Sequence, residues 1–204
     1  MTFTLLFTEK TALHYGILGE KKEIIKYILH LRLRDFNPKD TKGVTPFHLA
    51  AKQGNEEIVR LFIDNVNIDK DSKDITGITP MHMAAEESHW NLVKLIFNCP
   101  QTKVKNPGDN FGNTPMHRAA NKGHVETVQL FLNCDHIQEK NPSNKYLETP
   151  IHLAAEEGHV KTVELFLNCD QVQNKNPKND DGTTPMHSAA QKGYEKIVEL
   201  FLNR

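Results

Sequence analysis

Apolar positions along this chain recur as blocks. Val128, Leu130, Phe131 and Leu132 return as Val163, Leu165, Phe166 and Leu167, and again as Val198, Leu200, Phe201 and Leu202. The spacing within each block predicts a helix with one apolar face. Ahead of each block stands a second recurring phrase: Thr45-Pro46-Phe47-His48, Thr79-Pro80-Met81-His82, Thr114-Pro115-Met116-His117, Thr149-Pro150-Ile151-His152 and Thr184-Pro185-Met186-His187. Successive copies are 34, 35, 35 and 35 residues apart, and all five continue as x-Ala-Ala. Thr before Pro predicts a helix start, because the Thr oxygen caps free N–H groups and Pro at the first helical position forfeits no hydrogen bond. A weaker sixth copy, Thr11-Ala12-Leu13-His14, precedes them. A fixed period of this length means stacked two-helix units rather than one globular core.

Punctuation between the helices follows the same period. Gly54, Gly123, Gly158 and Gly193 stand where the first helix should stop. Asn98, Asn133, Asn168 and Asn203 follow the second helix, where Asn is expected to take the left-handed turn that ends it. The remaining stretch, such as 106–112 with its Asn, Pro, Gly and Asp residues, is turn-forming and leads into the next Thr-Pro.

The string D-x-x-G-x-T-P-x-H-x-A-A-x-x-G-H over residues 109–124, and with a changed hairpin over 144–159, resembles the ankyrin repeat. That resemblance implies an all-α solenoid of six helix-turn-helix units joined by short β-hairpin loops. The frames are approximately 6–39, 40–73, 74–108, 109–143, 144–178 and 179–204, one solenoid over 1–204. Departures from the family pattern carry their own expectations. The family's Gly-Ala-Asp turn after the second helix is missing, and one or two extra residues per repeat must build it differently. Leu147 replaces the hairpin Gly, so this hairpin is either remodelled or strained by about 1–2 kcal/mol. Ser88 replaces the interhelix Gly, and Arg118 and Ser188 take positions that are apolar in other copies. Lys21, Lys22 and Lys26 make the first unit polar, as a terminal unit with one wet face should be. The sixth keeps an interior-like apolar face and lacks a polar cap, which predicts a truncated array or an end covered by something else.

Charge and composition exclude several functions. With 25 basic and 26 acidic residues the formal charge is −1, so no basic footprint for nucleic acid appears. No apolar run is long enough to insert in a membrane, and Leu5-Leu6-Phe7 is shorter than a signal-peptide core. The expectation is a cytoplasmic location, with the nucleus as the alternative. Cys99, Cys134 and Cys169 occupy equivalent places in consecutive repeats. Helices about 8–10 Å apart cannot bring them within disulfide range. The eleven histidines are too regularly spaced to converge on one metal, so the six in the Thr-Pro-x-His position are expected to bond neighbouring turns. No nucleophile with an oriented base and no phosphate-cradling Gly motif is present. The chain is therefore read as non-enzymatic, with no catalytic residue, metal, cofactor or small-molecule substrate.

Binding candidates come from the resemblance and from exposed apolar residues. Hairpin tips at Ile75, Ile78, Phe111, Tyr146 and Leu147 place apolar side chains where water is expected, and such clusters mark contact surfaces or pack on adjacent hairpins. The two residues after each Ala-Ala pair line the family's concave side. Glu86, Glu87, Lys122, Glu156 and Glu157 are the candidates there, with basic and acidic pairs alternating between repeats. Neighbouring repeats either offset these charges or present them to a partner segment of mixed charge. The expected function is a scaffold or adaptor for a protein partner. The alternative is the recognition arm of a longer protein carrying an enzyme, a channel or a ubiquitin-ligase recruiting region. Asn37, Asn106, Asn141 and Asn176 align with the position that an asparaginyl hydroxylase modifies in ankyrin hairpins, but each precedes Pro and is read as a turn residue first.

Overall fold

The computed structural model describes residues 10–31 and 37–203. The Leu5-Leu6-Phe7 run, the opening of the first repeat and Arg204 lie outside the described residues. Among the described residues there are twelve helices and no strand. They are α1 (Ala12–Leu18), α2 (Lys22–His30), α3 (Pro46–Gln53), α4 (Glu56–Asp64), α5 (Pro80–Glu86), α6 (Trp90–Asn98), α7 (Pro115–Asn121), α8 (Val125–Leu132), α9 (Pro150–Glu156), α10 (Val160–Asn168), α11 (Pro185–Lys192) and α12 (Glu195–Leu202). Two compact units result, Met1–Val104 and Lys105–Arg204. In the N-terminal unit α1, α3 and α5 form one layer and α2, α4 and α6 a second; in the C-terminal unit the layers are α7, α9, α11 and α8, α10, α12.

The core lies between the layers of each unit. Ala50, Ala51, Ala84 and Ala85, and in the other unit Ala119, Ala120, Ala154 and Ala155, are fully buried, their small side chains letting the helices close. Large side chains fill the second layer: Phe62 stacks on Phe47 with ring centroids 5.5 Å apart, and Phe131 and Phe166 are buried in the equivalent place. Each such ring contributes about 1.5–3 kcal/mol over its exposed state.

The Thr-Pro-x-His phrase builds the joints between repeats. In α3, Thr45 caps the helix by accepting from His48 N, and His48 Nδ1 accepts from Thr45 N at 3.2 Å. A backbone N–H can only donate, so Nδ1 is unprotonated and Nε2 carries the hydrogen. That N–H reaches the next hairpin's Ile78 carbonyl at 2.9 Å. The same bond runs from His14 to Val44 O at 3.0 Å, from His117 to Glu148 O at 3.2 Å and from His152 to Thr183 O at 3.3 Å. One imidazole thus closes a helix start and ties down the following hairpin.

The turn after the second helix is built by lysine. Lys70 is 1% exposed, and its ammonium donates to the carbonyls of Phe62, Asn65 and Ile68 at 2.7, 2.6 and 3.0 Å. Lys140 donates to Cys134 O and Lys175 to Leu167 O. The positive end satisfies carbonyls that a helix C-terminus leaves open, and burial pulls the Lys70 ammonium below its usual pKa. This corrects the expectation for the asparagines. Asn133 and Asn203 hold negative φ, and Asn98 and Asn168 are still helical, so no left-handed Asn ends these helices. A second anchor comes from Asn37, Asn106, Asn141 and Asn176. Their Oδ1 atoms accept from the backbone N–H of Phe47, Met116, Ile151 and Met186, ten residues on, inside the next helix start.

The departures from the repeat pattern resolve individually. Leu147 keeps the left-handed backbone, at φ 54°, beside glycines at 73–83° in the other hairpins. Strain, not remodelling, is the outcome. Ser88 (φ 64°) and Glu20 (φ 53°) are left-handed at the interhelix turn. Arg118 projects to Asp109 and donates to its carboxylate at 3.1 Å, a buried acid with a half-buried base. The first repeat is less polar than its lysines suggested. Lys22 pairs with Glu57 and Lys26 with Glu23, yet Ile24, Tyr27 and Leu31 remain exposed among the described residues. In the sixth, Ala190 is exposed and nothing lies within 4 Å of a Cβ built on Gly193.

Candidate partner-binding surface

Each hairpin is shaped by one side chain. Asp109 Oδ1 accepts from Phe111 N and Asn113 N, both at 2.9 Å, and Asn144 Oδ1 accepts from Tyr146 N and Glu148 N at the same distance. Asp40, Asp74 and Asn179 do the same in their own hairpins. Acidic and amide residues suit this position because a short side-chain oxygen can reach the backbone two and four residues on. Adjacent hairpins are then laced by backbone bonds: Ile75 N to Lys42 O at 3.0 Å in the N-terminal unit, and Lys145 N to Phe111 O at 2.8 Å with Asp180 N to Tyr146 O at 3.1 Å in the C-terminal one.

On this lattice the predicted tip residues do not behave alike. In the N-terminal unit Ile75 is exposed, whereas Ile78 is half-buried and gives its carbonyl to His48. It belongs to the joint more than to the tip. In the C-terminal unit Phe111 is 51% exposed, Tyr146 52% and Leu147 49%. The bond from Lys145 to Phe111 puts these three on neighbouring, joined loops.

The predicted groove residues sit at the ends of the first helices. Glu86 is half-buried and ends α5; exposed Glu87 pairs with Lys52 at 3.8 Å. Both partners of that pair are exposed, so it contributes little. In the other unit Lys122 follows α7 and is exposed, Glu156 ends α9 and is half-buried, and Glu157 is exposed. Charge compensation between repeats therefore operates at Lys52–Glu87, while no ion pair among the described residues holds Lys122, Glu156 or Glu157.

The histidines are structural in their geometry. Burial drives the pKa of His48 and His152 down, and that of His117 to about 4, against weaker opposing contributions from the carbonyls they face. Neutral imidazole with both nitrogens committed is a joint, not a proton shuttle. Among the described residues no three His, Cys, Asp or Glu side chains converge as a metal site requires, and all three cysteines are free thiols. What sequence reasoning missed was the lysine set. Its signal was present as Lys70, Lys105, Lys140 and Lys175, recurring every 35 residues, a spacing solvated charge has no reason to keep.

The model of the family described as "Ankyrin repeats (3 copies)" matches residues 13–105, 67–141, 91–176 and 136–204, nearly the whole chain. The chain is a member of the ankyrin-repeat family. A putative ankyrin repeat protein, L271, of Acanthamoeba polyphaga mimivirus is 42% identical over 53 residues, which is 26% of this chain and 7% of that protein. The chain therefore spans only a small part of that curated relative. The crystal structure of an ankyrin repeat domain from Acinetobacter baumannii AYE matches with a TM-score of 0.78 at 24% identity, covering 93% of this chain and 95% of that one. That likeness is one of fold. Ankyrin-repeat domains are generally protein–protein interaction modules and typically non-enzymatic, and the all-helical fold agrees with that class. No helix among the described residues is long and apolar enough to cross a membrane.

Proposed function

We propose that this ankyrin-repeat protein is a non-enzymatic scaffold that holds a protein partner on its hairpin tips, with the polar residues after the Ala-Ala pairs as a flanking surface. The observation that carries the reading is Leu147. A non-Gly residue held left-handed costs about 1–2 kcal/mol, and here the side chain is only half covered in return, standing 49% exposed beside exposed Tyr146 and Phe111. Strained backbone concentrates at functional positions, and exposed apolar clusters mark contacts. Polar Asp180 and Asp181 on the next hairpin supply the rim that such an interface has. Neither nucleic acid nor a small-molecule substrate enters this reading, and the cytoplasm or nucleus is where it places the protein.

Affinity purification tests it. The pair Phe111→Asp with Tyr146→Asp should lose the captured partner while Glu156→Lys keeps it. If the tip variants retain the partner and Glu156→Lys or Lys122→Glu abolishes capture, the flanking surface is the site.

A further inference from the structure

A groove of about 360 Å³ opens in the C-terminal unit between the segment after α8 and the segment after α10. None of the tip residues lines it. Its walls are rich in carboxamides, with Gln138 and Asn141 on one side and Gln171, Gln173 and Asn174 on the other, over Val172 and Pro177. Glu139 is its one charged side chain. No lysine, arginine or aromatic ring lines it, so phosphate and stacked bases are poor occupants.

The N-terminal unit shows what this place accepts. There the Asp71 carboxylate crosses between the corresponding segments and takes the Lys103 N–H at 2.7 Å. The equivalent residues, 70 positions on, are Asn141 and Gln173. Asn141 turns its Oδ1 to Ile151 N instead, and no acceptor for the Gln173 N–H stands among the described residues. Asn141 is 8% exposed, and its Nδ2 has no acceptor among the described residues. The backbone N–H groups of Gln138 and Asn174 likewise have no acceptor among the described residues. Where one unit supplies its own oxygen, the other leaves donors and a gap.

We propose that this groove binds an uncharged segment of a partner polypeptide, seated by a carbonyl oxygen on the Gln173 N–H and Asn141 Nδ2. Side-chain amides both donate and accept, as the peptide group does, which suits them to a backbone running between the two walls. Glu139 disfavours a carboxylate in the same position. The volume is at the small end for ligand pockets, enough for a short segment rather than a folded surface. This site goes beyond the tip-centred reading and stands whether or not the tips bind.

The test is a ¹H–¹⁵N NMR titration of the full chain with the capped peptide acetyl-Thr-Gln-Ser-Val-amide. Sodium acetate and N-acetylglucosamine serve as the other probes, at equal concentration. Saturable shifts are expected at Gln138, Gln173 and the Asn141 side-chain amide, and not at Lys103, with the peptide alone. Asn141→Asp should close the groove as Asp71 does and weaken binding at least tenfold while the rest of the spectrum is retained. Ser143→Trp, on the exposed wall, should block it without touching either donor. Absent or unsaturable shifts overturn the proposal. So does an unchanged affinity in both variants, or an equal response to acetate or the sugar.

Discussion

Acid should loosen the C-terminal unit through one buried imidazole. His117 is 1% exposed, its Nδ1 accepts from Thr114 N at 3.0 Å, and its Nε2 faces Glu148 O at 3.2 Å. Desolvation holds its folded pKa at about 4, against the ordinary 6.5 of an imidazole in the unfolded chain. Between these values the unfolded chain binds a proton that the folded one refuses, so stability falls as pH drops below 6.5, and the loss is complete near pH 4. At pH 5 the deficit is about 2 kcal/mol, and at pH 4 about 3, taking 1.36 kcal/mol per pKa unit. Urea midpoints followed by far-UV circular dichroism at pH 7.5 and 5 measure it. His117→Gln should be weaker at pH 7.5 but lose about 2 kcal/mol less than the parent on acidification, since His48 and His152 continue to titrate in both. Equal losses in parent and variant, or an NMR titration of the His117 ring near 6.5, would refute the reasoning.

Further substitutions probe the turns and the core. Lys70→Met removes the donor from the carbonyls of Phe62, Asn65 and Ile68 and should cost about 2–4 kcal/mol by urea denaturation, whereas a loss under 0.5 would place those carbonyls in water. Thr127 is fully buried and its Oγ1 has no partner; Ile58 and Leu92 hold the equivalent place, so Thr127→Val should raise stability by about 1 kcal/mol. Gly54 and Gly193 share a left-handed backbone, but a Cβ on Gly54 meets the His89 ring at 2.4 Å and one on Gly193 meets nothing within 4 Å. Gly54→Ala should therefore be the more destabilising of the two, read as a difference in thermal midpoints.

Legibility in the sequence followed the period. Thr-Pro-x-His announced both helix starts and joints because capping is local and the repeat shows which carbonyl comes next. The end of the second helix was misread because it depends on a side chain reaching back from outside the helix. Asn133 looked like a terminator on propensity alone, yet Lys140, seven positions later, does the work by bonding Cys134 O. A lone lysine in a loop reads as solvated, and only its recurrence every 35 residues argues otherwise. Arg118 was anomalous because its partner, Asp109, belongs to the preceding hairpin, nine residues away. Exposure at the tips was expected from the resemblance, but Ile78 and Ile75, three residues apart, separate into joint and tip only once His48 claims the Ile78 carbonyl.

The strained hairpin ties stability to recognition. Its shape is imposed by bonds from Asn144 N to Glu148 O at 2.8 Å and Leu147 N to Asn144 O at 3.1 Å, by Asn144 Oδ1 on two further N–H groups, and by the lacing of Lys145 and Tyr146 to adjacent hairpins. At about 1 kcal/mol net for each bond, their sum exceeds the penalty at Leu147, which is why the loop keeps its form with the wrong residue for it. A loop fixed in this way presents Tyr146 and Leu147 with little backbone entropy left to lose on binding. Two substitutions separate strain from contact. Leu147→Gly should stabilise folding by about 1 kcal/mol and weaken partner capture, while Leu147→Ala should weaken capture without that gain, because Ala keeps the left-handed penalty. If Gly and Ala proved equally stable in urea, the backbone at 147 would carry no strain, and the exposed Leu would lose its claim to be selected for contact.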